Sequence, residues 1–419
     1  MQESVQPEAL PAALPGAQKQ ATFWQSLRIG LVYYLVTTLI VLAGAAFGYW
    51  ALARPPREGV GQEELLTPLL RWDGRWYERI ARNGYAYDPS RESSVAFFPA
   101  YPLLARTVTE ATGIDLQWSL LLVSHLCLAG TFVVFAMYVK NQFSQGPSDL
   151  AGFVLLAFGL WPTNFFFRMA YTESLFLFVT LLIVYGMRRA WPLWVLGTLV
   201  GLLTAVRPVG VVMTAPFALH IWQRRTSRTR LLVDVALPAI LSCAGLAAYM
   251  LYQRVHFGYA FAFAQTQTHW QIAPRVSFLD RMVALETLQP VWSIFDGHAW
   301  ALWTAVDPKA RSLFNAPIMD RVFFLLAAGL LGVAAVRRSL PSEELVAGGL
   351  LLLIPYLSRG YEMNMASMGR FSAVVFPIYL VLGRFLCRLP APCAAGLMAG
   401  SASLLVIYTA QFAAGFWFL

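Results

Sequence analysis

Long apolar runs separated by short polar stretches recur along the whole 419-residue chain. An apolar run of roughly twenty residues is long enough to cross the hydrocarbon core of a bilayer as a helix. This pattern predicts an all-α polytopic membrane protein with about eleven membrane-spanning helices in a single domain. The predicted spans are 29–53, 116–138, 150–167, 172–187, 193–206, 209–222, 231–252, 321–336, 344–357, 371–386 and 393–417.

The apolar run 193–222 is predicted to be two short helices rather than one long helix. Basic residues flank it on both sides, at 188–189 and 224–225. Because basic short loops stay on the cytoplasmic side, a single crossing would place one flank on the wrong side. Pro208 and Gly210 supply the break between the two helices. Irregular backbone at that depth requires cover by protein or by a water-filled cavity.

The basic residues of the short loops also set the predicted orientation. Placing them in the cytoplasm puts the N-terminus inside and leaves two long loops, about 54–115 and about 253–320, on the extracytoplasmic side. Both loops are expected to carry short interfacial helices, and the aromatic segment 291–306 is expected to lie along the membrane surface. Residues 1–22 are predicted to be a disordered cytosolic tail, and residues 23–419 the single transmembrane domain.

Composition excludes an ordinary soluble protein. The chain is 58% hydrophobic and 13% charged, whereas soluble proteins carry about 25% charged residues. The net charge of +9 comes largely from basic residues in short clusters between apolar runs, which favours membrane lipids over nucleic acid as partners. The 4 cysteines lie in or beside apolar runs without paired spacing, which is typical of small core side chains rather than of disulfides or metal ligands.

The first outer loop contains a short predicted helix that begins near Trp72 and is closed by Gly84. At helical spacing, one face carries Asp73, Trp76, Tyr77 and Ile80, and another carries Arg75, Arg79 and Arg82. A carboxylate among aromatic rings loses hydration, which favours its protonated form unless a cation offsets the loss. Asp73 is therefore a candidate proton acceptor. The alternative is that Asp73 only pairs with neighbouring arginines while the tryptophans form an interfacial belt.

Further candidates lie at the predicted outer ends of later helices. Arg207 sits in the predicted break, where a lone charge costs at least about 2.5 kcal/mol and therefore needs a polar partner. Arginine also suits a phosphate group, because its fork binds two oxygens. Glu173 can orient a substrate or hold a cation, or it can simply pair with Arg168. Arg370 begins an apolar helix, where snorkelling to the interface would also explain it.

The second outer loop contains a polar and aromatic stretch at 265–271 that is a candidate sugar-binding motif. Amides give paired hydrogen bonds and an indole gives an apolar face, and sugar recognition uses both. The candidates in this stretch are Gln267, His269 and Trp270. The spacing of His256, His269 and His298 matches no metal-ligand pattern, so no divalent metal is indicated and no cofactor is expected to be required.

Several short motifs follow one another in order over about residues 70–215. They are Trp72-Asp73-Gly74-Arg75-Trp76-Tyr77, Ile80-Ala81, Gly84-Tyr85, Phe98-Pro99-Ala100-Tyr101-Pro102, Tyr171-Thr172-Glu173-Ser174 and Arg207-Pro208-Val209-Gly210, with a weaker echo in Ser367-Met368-Gly369-Arg370-Phe371. In order and spacing this set resembles the PIG-V family of mannosyltransferases, which belongs to the GT-C membrane glycosyltransferases. The resemblance implies a GT-C-like helical bundle, and it implies that Asp73 is the general base because the motif matches around it.

The resemblance also implies the substrates and completes the set of candidate residues. The donor would be a polyprenyl-phosphate sugar, most simply mannose, and the acceptor a lipid-linked or glycan hydroxyl. The substrate-binding candidates are Trp72, Arg75, Trp76, Tyr77, Tyr101, Arg168, Glu173, Arg207, Gln267, His269, Trp270 and Arg370. The chain departs from the eukaryotic members in its short length, in Val209 and in lacking an Asn-x-Ser/Thr sequon. These departures favour a bacterial plasma membrane over the endoplasmic reticulum.

The chemistry of such a donor fits a site with one acid. Because a phosphate is already a good leaving group, one base and some cations are enough for transfer with inversion. Glycoside hydrolysis would instead need two carboxylates beside the bond. Two alternatives stay open: a secondary transporter, which predicts paired inverted repeats and charges near the membrane centre, and a non-catalytic lipid-binding protein, which would tolerate Asp73→Asn.

Overall fold

The computed structural model describes residues 15–52, 66–143, 146–224, 230–295 and 316–416, and these contain helices and no strand. The α-helices in chain order are α1 (Pro15–Ala51), α2 (Asp73–Asn83), α3 (Ala100–Thr112), α4 (Leu116–Gln142), α5 (Leu150–Gly159), α6 (Glu173–Arg188), α7 (Leu193–Val206), α8 (Thr214–Arg224), α9 (Leu237–Phe257), α10 (Ala262–Gln265), α11 (Phe278–Glu286), α12 (Gln289–Trp292), α13 (Ala316–Val336), α14 (Ser342–Pro355), α15 (Met368–Ala373), α16 (Pro377–Leu386) and α17 (Ala391–Ala414). Short 3₁₀ or π segments are Thr67–Leu69, Ser94–Ala96, Asn164–Arg168, Pro208–Met213, Leu231–Ala236, Thr266–Trp270, Ser293–Phe295 and Tyr356–Gly360.

Five helices are long and apolar enough to cross a membrane, so the prediction of an all-α multi-pass membrane protein is confirmed. They are Thr22–Ala51, Leu116–Gln142, Leu231–Phe257, Pro317–Val336 and Ala391–Ala414. Three shorter apolar helices, α5, α7 and α16, coincide with further predicted spans. The count of eleven crossings stays a prediction.

Two predicted segments begin or end at other residues in the structure than the sequence predicts. Helix α1 begins at Pro15, inside the stretch 1–22 that the sequence predicts as a tail, and residues 1–14 lie outside the described ranges. The predicted surface segment 291–306 is described only as far as Phe295, where it forms the end of α12 and a 3₁₀ turn.

The predicted break after α7 is confirmed. Helix α7 ends at Val206, and the 3₁₀ segment Pro208–Met213 leads into α8. Pro208 lacks the backbone N–H that would continue the helix, so the chain turns here. Arg207 consequently has an extended backbone, with φ −151° and ψ 150°. The break leaves the Arg207 side chain at the end of α7 rather than along its flank.

Two predicted spans are wrong in extent because proline interrupts them. The predicted helix 150–167 ends at Gly159, ahead of Pro162, and resumes only as the 3₁₀ segment Asn164–Arg168. The residue before a proline avoids the α-helical region, which explains the early end. The predicted helix 371–386 is likewise divided between α15 and α16, with Pro377 opening the second helix.

The helices of the first long loop pack on the long helices and so position the site. Helix α1 packs against α4 and α17, α4 against α6, and α7 against α9. Helices α2 and α3 pack on each other and on α4. Tyr77 of α2 is 5% exposed and touches the start of α6, where its hydroxyl lies 3.4 Å from Thr172 Oγ1. The first residue of α2, Asp73, is thereby brought to the N-terminal end of α6.

Candidate active site

Helix α2 has the faces that the sequence predicts. Tyr77 and Ile80 are buried, and Asp73 and Trp76 are half-buried. The helix is preceded by Trp72, whose φ of 55° is unusual for a residue with a side chain, and it ends before Gly84 at φ 79°. Residues with such a backbone cluster at functional sites.

Asp73 is paired with a cation from the far end of the chain. Arg370 Nη1 donates to Asp73 Oδ2 at 2.6 Å, and Arg370 Nε donates to Glu173 Oε1 at 2.5 Å. Arg207 Nη1 donates to the same Glu173 oxygen at 2.5 Å. Asp73, Glu173, Arg207 and Arg370 therefore form one connected group, called the site cluster below. Two carboxylates and two guanidinium groups balance in charge.

Burial differs sharply within the site cluster. Glu173 is fully buried, and Arg370 and Arg207 are 4% and 8% exposed. The Asp73 side chain is 21% exposed. Buried charges are tolerated when they are paired, as these are. Asp73 is the acid of the cluster that a substrate can reach.

Aromatic rings hold the two arginines in place. The Arg370 guanidinium carbon lies 4.5 Å from the centre of the Tyr171 ring and 5.3 Å from that of Phe166. The corresponding carbon of Arg207 lies 5.6 Å from the Phe371 ring and 5.8 Å from the Phe176 ring. Such cation–π contacts add attraction in a desolvated setting. They restrict how far each guanidinium can shift from its carboxylates.

Tyr77 and Tyr101 form a buried pair beside the cluster. Their ring centres are 5.2 Å apart. The Tyr101 hydroxyl donates to Leu120 O at 2.9 Å and also lies 2.9 Å from Ser124 Oγ. Burial raises the pKa of both tyrosine hydroxyls above the usual value. Both stay protonated, and Tyr101, a predicted substrate-binding residue, has its hydroxyl occupied by α4.

The two long loops meet in an aromatic platform made by Trp76, Phe97 and Trp270. Trp76 stacks on Phe97 with ring centres 5.4 Å apart, and Trp270 meets Trp76 edge-on at 6.2 Å. The guanidinium carbon of Arg79 lies 4.8 Å from the centre of the Trp76 ring. The structure thus joins the candidate motif of the second loop to α2.

Gln267 and His269 lie on the same 3₁₀ turn, Thr266–Trp270, as Trp270. Both are half-buried. His269 Nε2 lies 3.1 Å from the carbonyl oxygen of Pro89, so one ring nitrogen is engaged with the first loop. The His269 contact fastens the turn to the first loop.

Two predicted substrate-binding arginines are directed elsewhere. Arg168 is fully buried and donates to Thr37 Oγ1 at 2.7 Å and Asn164 O at 2.9 Å, so it faces α1. The alternative in which Arg168 pairs with Glu173 is wrong, because Arg207 and Arg370 occupy that acid. Arg75 bonds within its own loop, to Glu78 Oε2 at 3.0 Å and Thr67 Oγ1 at 3.2 Å.

The sequence prediction missed Arg359, on the turn Tyr356–Gly360 that follows α14. Within the described residues this guanidinium makes no hydrogen bond and no ion pair, although it is only partly exposed. Burial lowers the pKa of Arg359, and the negative charges of Glu362 and Asp73 oppose that shift. Glu362 is itself paired with Arg281 at 2.7 Å. Arg359 is thus a cation on which the charge of Asp73 acts, and its donors bond none of the described residues.

Two of the three histidines considered as metal ligands have other partners. His256 stacks on Tyr252 with ring centres 4.0 Å apart, and His269 faces Pro89. His298 lies outside the described residues. Over the ranges that the structure describes, no group of three or more His, Cys, Asp or Glu side chains could hold a metal ion.

The order of these residues along the chain agrees with a known family. The family described as Mannosyltransferase (PIG-V) matches residues 52–301, which is more than half of the chain. The chain belongs to the PIG-V family. The predicted resemblance is therefore confirmed, and the matched region of this PIG-V chain includes Asp73, Glu173, Arg207 and Trp270.

Named relatives cover part of this PIG-V chain. GPI alpha-1,6-mannosyltransferase 2 of Cricetulus griseus is 32% identical over 212 residues, which are 49% of this chain and 42% of that protein. GPI mannosyltransferase 2 of Drosophila melanogaster is 33% identical over 125 residues, 28% of this chain and 26% of that protein. The chain spans less than half the length of these relatives. ArnT from Cupriavidus metallidurans, solved bound to undecaprenyl phosphate, is similar at a TM-score of 0.47 and 15% identity, covering 88% of this chain and 61% of that one.

Proposed function

We propose that the protein transfers mannose from a polyprenyl-phosphate donor to a hydroxyl of a glycan or glycolipid on the extracytoplasmic side of a membrane. The observation that supports this most is the accessibility of Asp73 within an otherwise buried, charge-balanced cluster. Asp73 lies on the motif that the family match includes. The names of the relatives supply mannose as the sugar.

Asp73 acts as the general base in this proposal. It takes the proton of the acceptor hydroxyl while that oxygen attacks the anomeric carbon of the sugar. The bond from this carbon to the phosphate oxygen breaks, its electron pair stays on the phosphate, and the anomeric configuration inverts. Arg370 bonds only Oδ2 of Asp73. Oδ1 accepts no hydrogen bond from the described residues and is the oxygen that meets the acceptor.

The leaving phosphate needs a cation with free donors. Arg207 bonds Glu173 through Nη1, and Arg370 uses two of its three nitrogens on the carboxylates. Arg359 has its donors unused within the described residues, and Asp73 is among the acids that act on it. We assign the phosphate to Arg359, with the third nitrogen of Arg370 beside it. A neutral cluster plus one guanidinium matches the single negative charge of a phosphodiester donor.

The aromatic platform of Trp76, Phe97 and Trp270 binds the sugar. Its rings offer an apolar face of the kind on which pyranose rings stack. Gln267 lies on the same turn as Trp270 and supplies amide groups for the sugar hydroxyls.

In this proposal the N-terminus lies in the cytoplasm and the site lies on the outer side of a bacterial plasma membrane. The reaction requires no divalent metal.

The test compares initial rates of transfer from polyprenyl-phosphate mannose to a panel of glycan and glycolipid acceptors. The purified full chain in lipid nanodiscs is assayed as wild type and as Asp73→Asn. Removal of a general base is expected to lower kcat by about 10²–10⁴-fold. Asp88→Asn is the matched control, because Asp88 lies in the same outer loop and pairs only with nearby groups such as Arg91. It should keep wild-type turnover.

The outcomes separate the alternatives. Full activity of Asp73→Asn would overturn the role of Asp73. Donor binding that is equal in wild type and variant, without transfer to any acceptor, would favour a lipid-binding protein. Movement of the intact donor across the bilayer without transfer would favour a transporter.

A further inference from the structure

Asp320, near the start of α13, is a buried acid to which the mechanism above gives no role. It is 6% exposed. Its Oδ2 accepts the backbone N–H of Ser367 at 3.0 Å, and its Oδ1 accepts the backbone N–H of Gly369 at 2.7 Å. Both carboxylate oxygens thus hold the backbone of a segment 47 and 49 residues further along the chain. This segment ends immediately before Arg370.

The neighbouring Arg321 holds the start of the same segment. Its Nη2 donates to Asn364 Oδ1 at 2.7 Å and to Asn364 O at 3.2 Å. Its other nitrogens donate to the carbonyl oxygens of Pro290 at 3.0 Å and Pro317 at 2.7 Å. Asp320 and Arg321 are adjacent in sequence and 2% to 6% exposed. Together they fasten residues 364–369, called the clasped segment below.

The clasped segment has a backbone that needs such support. Asn364, Met365 and Ser367 have φ values of 48°, 63° and 68°. Residues with a side chain are disfavoured in this left-handed region, and they persist only where the surroundings impose the conformation. The hydrogen bonds that Asp320 accepts and that Arg321 donates hold this conformation here.

The space around Gly369, at the end of the clasped segment, is also tight. A Cβ atom at Gly369 would lie 2.9 Å from Asp320 Oδ1 and 3.1 Å from the Thr163 methyl group. Thr163 Oγ1 donates to the carbonyl oxygen of Gly369 at 2.9 Å. Gly369, the residue that precedes Arg370, is therefore held at its N–H by α13 and at its carbonyl oxygen by the turn after α5.

We propose that Asp320 is a positioning residue that sets Arg370 against its two carboxylates. Arg370 must meet Asp73 and Glu173 at once, from elements that lie far apart in sequence. Because the Arg370 guanidinium bonds two fixed carboxylates, it tolerates little movement of the Arg370 backbone. Asp320 fixes the backbone of Gly369, one residue before Arg370. This inference rests on the proposed function of the site cluster.

The test is the isosteric variant Asp320→Asn. An amide keeps one acceptor oxygen but turns a donor towards one of the two backbone N–H groups. One of the two hydrogen bonds between residue 320 and the clasped segment is therefore lost. The expected result is a kcat about 10- to 100-fold lower, because small displacements of reacting groups have effects of this size. KM for polyprenyl-phosphate mannose should stay within about twofold, because Asp320 touches no proposed donor ligand.

A double-mutant cycle distinguishes positioning from general support of the fold. In an Arg370→Lys background, Asp320→Asn should add almost no further loss of kcat, because both changes act on the same contact. If the two losses multiply, Asp320 acts independently of Arg370 and the inference is overturned. Wild-type kcat in Asp320→Asn would also overturn it.

Two further variants keep the test decisive if Asp320→Asn folds poorly. Gly369→Ala crowds Asp320 Oδ1 without changing any charge, and it should lower kcat while KM is retained. Glu343→Gln is the control for loss of a buried acid, since Glu343 is 5% exposed and pairs with Arg188 at 3.2 Å. It should leave kcat unchanged, and thermal unfolding is recorded for each variant.

The proposed function and the inference fail in different ways. Absence of mannose transfer by the wild type would overturn the proposed function. An active wild type, an inactive Asp73→Asn and a fully active Asp320→Asn and Gly369→Ala would overturn the positioning role alone.

Discussion

Two buried charged clusters lie at opposite ends of α6. Glu173, the first residue of this helix, belongs to the site cluster, and Arg188, the last, belongs to a second group. The second group, called the distal cluster below, consists of Tyr138, Arg188, His220, Glu343 and Glu344. A helix of 16 residues separates the two by about 24 Å.

The distal cluster is closed on itself. Arg188 Nη2 lies 3.2 Å from Glu343 Oε2 and 3.3 Å from Glu344 Oε1. The Tyr138 hydroxyl donates to Glu344, and His220 Nδ1 lies 3.7 Å from Glu343. These contacts link α4, α6, α8 and α14, and the Glu344 side chain is fully buried. This group ties helices together and offers no carboxylate to a substrate.

The site cluster differs in accessibility and in its surroundings. Its Asp73 is 21% exposed, whereas the acids of the distal cluster are 0% and 6% exposed. The aromatic platform begins on α2, three residues after Asp73, and both long loops contribute to it. The charge of Asp73 also acts on Arg359, whose guanidinium bonds none of the described residues. A buried ion pair alone is therefore a structural feature. A solvent-accessible carboxylate beside such an ion pair is what indicates a catalytic site.

The largest contrast is expected between Arg370→Ala and Arg188→Ala. Each removes the cation from a buried acidic pair, so each should destabilise the fold by about 3–5 kcal/mol. Arg370→Ala should also lower kcat more than about 100-fold, because Asp73 loses its partner. Turnover per folded molecule of Arg188→Ala should stay within about twofold of wild type. Rates normalised to the folded fraction check this, and equal losses in both variants would contradict the comparison.

Arg359→Ala should act on donor binding. Loss of a charge-assisted hydrogen bond is worth about 1.5–3 kcal/mol, so KM for polyprenyl-phosphate mannose should rise about 10- to 100-fold. Steady-state kinetics at several donor concentrations measure this. Arg384→Ala is the control, because Arg384 lies on α16 and donates to Ser339 O. An unchanged KM for Arg359→Ala would remove this residue from the phosphate site.

Trp270→Ala should have a smaller effect. Loss of an aromatic contact is worth about 0.5–1.5 kcal/mol, which corresponds to a roughly three- to tenfold loss in kcat/KM for the mannosyl donor. Trp222→Ala is the matched control, because Trp222 is 68% exposed on α8. If both tryptophan variants keep wild-type kcat/KM, the platform does not bind the sugar.

The sequence predicts the local features of the site well. The two faces of α2, its end at Gly84 and the break at Arg207 follow from helical spacing and from the properties of proline and glycine. The polar turn at Trp270 is also found beside the first loop. Each of these depends on residues that are close together in the chain.

The remaining features depend on distant contacts. Arg370 and Asp73 are 297 residues apart, and no local pattern pairs them. Arg168 resembles a partner for Glu173 by position, but Pro162 ends α5 early and the 3₁₀ turn directs Arg168 towards α1. Arg359 and Asp320 belong to no motif in the sequence. Their importance follows only from where the long helices bring the second half of the chain.

The most direct measurement is the initial rate of mannose transfer by Asp73→Asn and Glu344→Gln, assayed side by side in nanodiscs with the folded fraction of each determined. Each variant replaces one carboxylate of a buried charged cluster with an amide of the same shape. Asp73→Asn is expected to lose turnover by about 10²-fold or more, while Glu344→Gln retains it. Equal turnover in the two variants would contradict the assignment of the chemistry to the site cluster.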